Sequence, residues 1–210
     1  MWPFRSGSAA EPQTVTLPLF PLHTVLFPGG LLPLKVFEQR YVEMTKACMK
    51  GDRPFGVCLI VKGEEVAGEA RTAPEIATVG TLARIADWDV PQVGILHLAT
   101  VGQTRFIVRR HTTQANGLLV ADVTPLDPEP ADALPETMRP LAQLLELMAT
   151  RVGPRNFPAE RRFDDASWVG YRLAELLPLP LSIKQSMLEI NDAQVRLQAL
   201  SQFLKQHGLV

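Results

Sequence analysis

Few residues in this chain are spaced for chemistry, and each such group also has a plain structural use. The four histidines, His23, His97, His111 and His207, lie far apart. Only His97 and His111 could approach, on neighbouring strands, and two imidazoles fall short of the convergent ligand set and supporting shell of a metal centre. Ser182 and Lys184 carry the atoms of a serine–lysine dyad, which needs a desolvated amine within reach of the hydroxyl. Ser182 stands three residues before Gln185, however, the spacing of a capping box. The pair therefore reads as the first turn of a helix, with Lys184 exposed. Asp87 and Asp89 flank Trp88 and share one strand face. Acid–base work by such a pair requires surroundings that keep one carboxyl protonated, and ahead of Pro91 they read as a solvated strand end. Arg105, Arg109 and Arg110, beside His111, form the basic cluster. Arg105 and Arg109 share one strand face and Arg110 takes the other. A nucleic-acid surface would want aromatic platforms among these charges, and the nearest aromatic, Phe106, alternates toward the core. No lysine follows a glycine, so there is no phosphate loop, and no dinucleotide, hydrolase-elbow or zinc motif is present. The expectation is a chain with no catalytic residue, no cofactor and no metal.

Composition narrows the class further. With 46% hydrophobic residues, 20% charged residues and a net charge of -1 in 210 residues, the chain can bury a sizeable core and has no general affinity for polyanions. Two cysteines, Cys48 and Cys58, make no disulfide framework and read as small buried hydrophobes. No apolar run approaches the roughly 18 residues of a spanning helix, and the start lacks the apolar region of a signal peptide. A cytoplasmic protein with reduced thiols and no membrane partner is expected.

The elements that would position these residues change character along the chain. Residues 1–13 read as a flexible tail and 14–123 as a β-rich domain. Val15, Leu17 and Leu19 alternate at the strand period, and Leu31 to Phe37 reads as a second strand whose prolines favour a sheet edge. Pro28-Gly29 between them suits the centre of a type II turn. Glu38 to Lys50 has helical spacing, with Phe37, Tyr41, Met44 and Cys48 on one face. Phe55 to Lys62 suits a buried strand. Ile76 to Val90 reads as a strand with a bend at Gly80, followed by Gly94 to Val101, Thr104 to His111 and Leu118 to Val123. Asn116-Gly117 before the last is a strong hairpin signal. Residues 124–136 hold four prolines and four acids and read as an exposed linker. Residues 137–210 are helical in period, about four helices, with Asp192 placed to cap the last and Leu197, Leu200 and Leu204 as its apolar stripe.

One stretch has a recognisable signature. Leu17-Pro18-Leu19-Phe20-Pro21-Leu22 is followed by Val25-Leu26-Phe27-Pro28-Gly29, then Leu32-Pro33-Leu34, then Phe37-Glu38-x-Arg40-Tyr41. Gly102-x-x-Arg105-Phe106 and Leu176-Leu177-Pro178-Leu179 extend the match over roughly residues 14–207. The chain resembles the N-terminal, substrate-binding domain of Lon proteases. That resemblance implies an α+β fold: a PUA-like β-pseudobarrel with one helix, followed by a C-terminal helical bundle. It also implies recognition of unfolded or hydrophobic polypeptide in protein quality control, with a protease or chaperone as partner. The ATPase and protease motifs of the full enzyme are missing from these residues, so a non-enzymatic binding module is expected. Two readings of the first turn compete: its apolar side chains close the barrel, as short apolar runs usually do, or some of Leu26, Phe27 and Pro28 stay exposed at the tip and are the candidate peptide-binding residues. PUA-like barrels elsewhere bind RNA, which would make Arg105, Arg109 and Arg110 the contacts of an alternative function. An enzyme assembled in space is a further alternative, to be recognised by a deep pocket of perturbed titratable groups.

Overall fold

The computed structural model of the chain describes residues 14–65 and 73–208; the tail expected over residues 1–13 lies outside the described residues. Seven strands form one sheet: β1 (Val15–Leu22), β2 (Leu31–Val36), β3 (Phe55–Lys62), β4 (Glu75–Ile76), β5 (Val79–Gln92), β6 (Ile95–Thr113) and β7 (Leu119–Pro125). Its order is β1-β7-β6-β5-β3-β4, and a parallel pairing of β1 with β3 closes the first five into a ring. β2 lies outside the ring, antiparallel to the first half of β6, while β7 pairs with the second half. The proline-bearing strand thus has a partner on one side only, as the missing donor of Pro33 requires.

Two of the expected strands are one. Gly94 to Val101 and Thr104 to His111 run together as β6, because Gly102 does not break the strand but seats the turn after β1 upon it. The hairpin to β7 closes on Gln114 and Leu118 with a three-residue loop, and Gly117 takes the positive φ of +84° that follows a type I turn there.

Inside the ring, Leu17, Leu19, Cys58, Phe106, Leu119, Ala121 and Val123 pack together. The helix α1 (Gln39–Gly51) covers a second cluster, with Tyr41, Val42, Met44 and Cys48 buried and Phe20 stacked on Tyr41 at 4.1 Å. Phe37 does not join them. It is 55% exposed, because it precedes the helix in extended backbone and points away from the face that Tyr41 begins.

Four further helices follow: α2 (Arg139–Val152), α3 (Ala166–Leu176), α4 (Leu181–Glu189) and α5 (Ala193–Gln206). They pack directly on the barrel. One hydrophobic cluster joins Val25, Phe27, Leu59 and Ala77 of the β-rich part to Leu145, Val169, Leu173, Leu197 and Leu200 of the helices. Asp192 caps α5, accepting from the amides of Gln194 at 2.8 Å and Val195 at 3.1 Å. Asp192→Ala is therefore expected to lower stability by about 1 kcal/mol, read as a shift in the urea midpoint at unchanged slope.

The capping box expected at Ser182 is not formed. The helix starts two residues earlier, with Pro180 rather than Ser182 at its N-cap, and Gln185 turns inward to donate to the Val79 carbonyl at 3.0 Å. Lys184 is partly buried rather than exposed, with its ammonium donating to the Glu175 carbonyl at 2.7 Å. The stretch from Thr124 to Glu136 is not a plain linker either. Its Glu129 side chain is only 4% exposed, and what holds it there organises the site.

Candidate functional site

The first turn of the chain is a plug, not a tip. The amide of Gly30 donates to the Phe27 carbonyl at 2.9 Å across Pro28 and Gly29, and Gly29 has φ +71°, the type II geometry that Pro-Gly favours. Gly29 donates to Gly102 O at 2.7 Å, Gly102 donates to Gly30 O at 2.9 Å, and the Thr81 hydroxyl donates to Leu26 O at 2.6 Å. With its main chain satisfied on β5 and β6, the segment sends its side chains inward. Leu26 is 3% and Phe27 0% exposed, and the Phe27 ring lies 5.8 Å from that of Tyr171. Leu26 and Phe27 are thus core, as the barrel-closing reading has it, and not exposed contacts at a tip. Pro28 alone of the three stays partly exposed.

Below this turn lies a buried ion cluster centred on Glu129. Its carboxylate receives Arg196 through both terminal nitrogens, one at 2.9 Å, Arg105 at 3.1 Å, Ser167 at 2.6 Å and the Tyr171 hydroxyl. The Arg105 side chain is 4% exposed and that of Arg196 0%. The remaining arginine donors take carbonyls at the end of α4: Arg105 bonds Leu188 O at 2.7 Å and Ile190 O at 3.0 Å, and Arg196 bonds Met187 O at 2.9 Å. These helix-terminal carbonyls need partners and attract positive charge. The Arg196 guanidinium also lies 3.9 Å above the Tyr171 ring. Burial pushes the Glu129 carboxyl up, but hydrogen bonds from Arg196, Ser167 and Tyr171 and the Arg196 charge outweigh it, so it titrates below its ordinary value. A second clamp sits beside the first. Arg172, fully buried, donates to the Pro28 carbonyl at 2.8 Å and lies 3.0 Å from the Glu175 carboxylate. Glu175 in turn approaches Gly30 so closely that a Cβ there would stand 2.7 Å from its Oε1.

Over these clamps opens a groove of about 550 Å³. One wall is Pro28, Gly29 and Leu31 with Val101 to Arg105 of β6. Asp127 to Glu129 with Ala131, Pro158 to Glu160 with Arg162 and Asp165, and Ser167, Trp168 and Tyr171 of α3 complete its lining. Trp168 is held edge-on between Phe157 and Phe163, at 5.7 and 5.2 Å. A second groove of about 420 Å³, lined by Leu17, Pro18, Met44, Cys48, Leu82 and Leu118, opens beside β1 and α1.

The other expected groups disperse. Arg105 is buried in the ion cluster, Arg109 donates to the Thr124 hydroxyl at 2.9 Å, and the exposed Arg110 pairs with Asp122. The three therefore do not form a free basic surface: Arg105 is turned under the helices into the ion cluster, and Arg109 and Arg110, though exposed, are held by cross-strand partners on β7. His97 and His111 lie on the same strand, β6, so they cannot converge as neighbours across a sheet. Among the described residues no group of three or more His, Cys, Asp or Glu could hold a metal. Both cysteines are buried free thiols; burial pushes Cys58 up to about 12 and also raises Cys48. Asp87 and Asp89 do share a strand face, paired with Ala99 and His97. Of the six expected contact residues, Pro28 and Arg105 line the same groove. Reading the sequence missed Glu129, Ser167, Tyr171, Arg172 and Arg196. A signal existed: Arg172 and Arg196 fall on the apolar faces of their helices, beside Leu173 and Leu197, where an arginine must be paired.

A closed five-strand ring capped by helices clamped through buried arginines defines an α+β pseudobarrel. The same fold is seen in the crystal structure of a Lon N-terminal domain protein from Xanthomonas campestris, with 40% identity and a TM-score of 0.73 over 89% of this chain and 96% of that one. The N-terminal domain of Mycobacterium avium complex Lon protease, at 17% identity and a TM-score of 0.61, shares the fold. The Lon protease of Cytophaga hutchinsonii is 28% identical over 90% of this chain and 24% of that protein, and Lon protease 2 of Myxococcus xanthus is 29% identical over 90% and 23%. The chain thus spans about a quarter of the length of these curated relatives. The family model for the ATP-dependent protease La (LON) substrate-binding domain matches residues 16–206, and the chain belongs to that family. No helix among the described residues is long and apolar enough to cross a membrane.

Proposed function

We propose that this chain is a non-enzymatic recognition module that binds extended, unfolded or hydrophobic polypeptide in the groove between β6 and α3, serving protein quality control in the cytoplasm alongside a protease or chaperone. The observation that carries this reading is the groove itself. Its lining sets apolar and aromatic side chains, Leu31, Val101, Pro158 and Trp168 among them, beside polar and charged ones, and two glycine hydrogen bonds and two buried ion clamps hold it in place before any ligand arrives, which lowers the ordering cost of binding. Glu129, the buried carboxylate facing it, is engaged with two arginines, a serine and a tyrosine, and so serves to fix the groove rather than to exchange a proton with a ligand. The family description, a substrate-binding domain, points the same way.

Titration with a permanently unfolded client, reduced and carboxymethylated, is expected to give saturable binding with Kd in the micromolar range, near -8 kcal/mol or roughly that. Leu31→Lys and Ala159→Arg, both at the groove edge, are expected to weaken it at least about tenfold at unchanged melting temperature. Absence of saturation into the high micromolar range removes the reading. Binding indifferent to both variants but blocked by Leu82→Lys moves it to the groove beside β1.

A further inference from the structure

The far end of β5 has a free edge. β3 pairs with it only at Thr81, Leu82 and Ala83, whereas β6 follows its other side to Gln92. From Arg84 to Gln92 the side away from β6 has no strand partner among the described residues. This stretch leads to the two-residue turn Val93-Gly94, where Val93 is 96% exposed. Trp88 and Val90 are also exposed, 51% and 46%.

In an antiparallel pair, alternate residues point amide and carbonyl away from the partner. The amides of Trp88 and Val90 are spoken for by side chains: each donates to the carboxylate of the preceding residue, Asp87 at 2.9 Å and Asp89 at 2.8 Å. The aspartates occupy donors that a neighbouring strand would otherwise take. An exposed edge of this kind is a template for another strand, and exchanging such caps for main-chain carbonyls leaves the β5–β6 ladder intact. A groove of about 240 Å³ runs along this edge against the end of α1, bordered by Asp52, Arg53, Arg84 and Trp88.

We propose that the Arg84–Gln92 edge of β5 takes up an extended segment of client polypeptide as an added strand, with basic side chains opposite Asp87 and Asp89 and apolar ones on Trp88 and Val90. The choice of a client as partner rests on the polypeptide-recognition reading above; the edge itself is separate from the β6–α3 groove. Its charge selects the occupant. Asp87 is flanked across the sheet by Ala99 and then Pro33, neither of which is charged, whereas Asp89 already faces His97 and then Lys35, so a lysine or arginine on an incoming strand completes a cross-strand pair at Asp87 first. A second copy of this chain is disfavoured on the same ground: two edges paired about Trp88 would set Asp87 of one against Asp89 of the other. Arg53 and Arg84 border the inner end, so the basic residues of the occupant lie toward the hairpin tip.

The test uses the whole chain, labelled with nitrogen-15, and a disaggregated peptide of about ten residues alternating valine with lysine. Shifts are expected at residues 84–92 and in the last turn of α1. A twin peptide N-methylated on alternate residues should bind at least about tenfold more weakly, and so should one with glutamate for lysine. The lysine preference should vanish in the Asp87→Asn, Asp89→Asn double variant, and Val90→Pro, which removes an outward amide, should weaken binding. Ala159→Arg should change none of this. Equal binding of the methylated twin, which needs no protein variant, overturns the inference. So does loss of binding in Ala159→Arg, or a dimer that Val90→Pro dissociates with no effect on peptide. If the unfolded client saturates the β6–α3 groove while the β5 amides stay still, this inference alone fails. If no polypeptide binds anywhere, the recognition reading fails with it.

Discussion

Glu129→Ala is expected to lower the unfolding free energy by about 3–5 kcal/mol, the cost of leaving buried charge without its partner. Two guanidiniums would lose their counter-charge at once, and the Arg105 and Arg196 side chains are 4% and 0% exposed. Equilibrium denaturation in urea measures the loss. The Glu129→Gln variant separates charge from shape, since the amide can accept from Ser167 or Tyr171 but cannot neutralise two arginines. The same group sets an acid limb. The folded state holds the Glu129 carboxyl below its ordinary value of 4.5, so its contribution is fully present above that pH and is lost as pH falls through the lower, folded value. Wild-type stability should therefore decline with acid below about pH 4.5 more steeply than that of Glu129→Gln. Parallel curves for the two proteins would contradict the assignment.

Gly102→Ala comes next in size. A Cβ on residue 102 would stand 2.2 Å from the Phe27 carbonyl oxygen and 3.1 Å from the Leu26 side chain, and main chain cannot step aside as a flexible side chain can. Accommodating it means lifting the 27–30 turn off β6, with the hydrogen bonds of Gly29 and Gly30 to Gly102 and the seat of the buried Phe27. Overpacking of this kind costs about 1–3 kcal/mol, and each hydrogen bond lost adds about 1 kcal/mol, so a loss of about 3 kcal/mol or more is expected. Gln103→Ala, on the exposed neighbour, should be close to neutral. The thermal midpoints of the two variants check the pair. A Gly102→Ala protein that melts with wild type would mean that the turn does not depend on this seat.

Much of the fold was legible, and the reasons are physical. Strands β1 and β3 announced themselves by alternation and by an apolar β-branched run, and Pro28-Gly29 by the conformations those two residues permit. The four C-terminal helices followed from the period of their leucines and the prolines between them. What was not legible is carried by residues whose partners are remote in the chain. Arg105 reads as one of three basic strand residues until Glu129, Leu188 and Ile190 are brought to it. Glu129 reads as a solvated acid in a proline-rich stretch until Arg196 arrives from the last helix. Local logic favours burial for Leu26 and Phe27, as for any short apolar run, without excluding a tip; the hydrogen bonds to Gly102 decide it, and that residue lies some 70 residues away along the chain. The break expected at Gly102 failed for the same reason, since a glycine that lets two backbones touch has the same local signature as one that ends a strand.

The cluster around Glu129 draws on five stations: residue 105 in the barrel, 129 in the joint, 167 and 171 in one helix and 196 in another. No stretch of chain short of about ninety consecutive residues contains them all. A proteolytic nick in the joint that lets the pieces drift apart would therefore part Glu129 from one of its two arginines, from Arg196 if the cut falls after residue 129 and from Arg105 if it falls before. The barrel and its helices are therefore expected to gain or lose their order together, as one cooperative unit rather than as two halves that loosen separately.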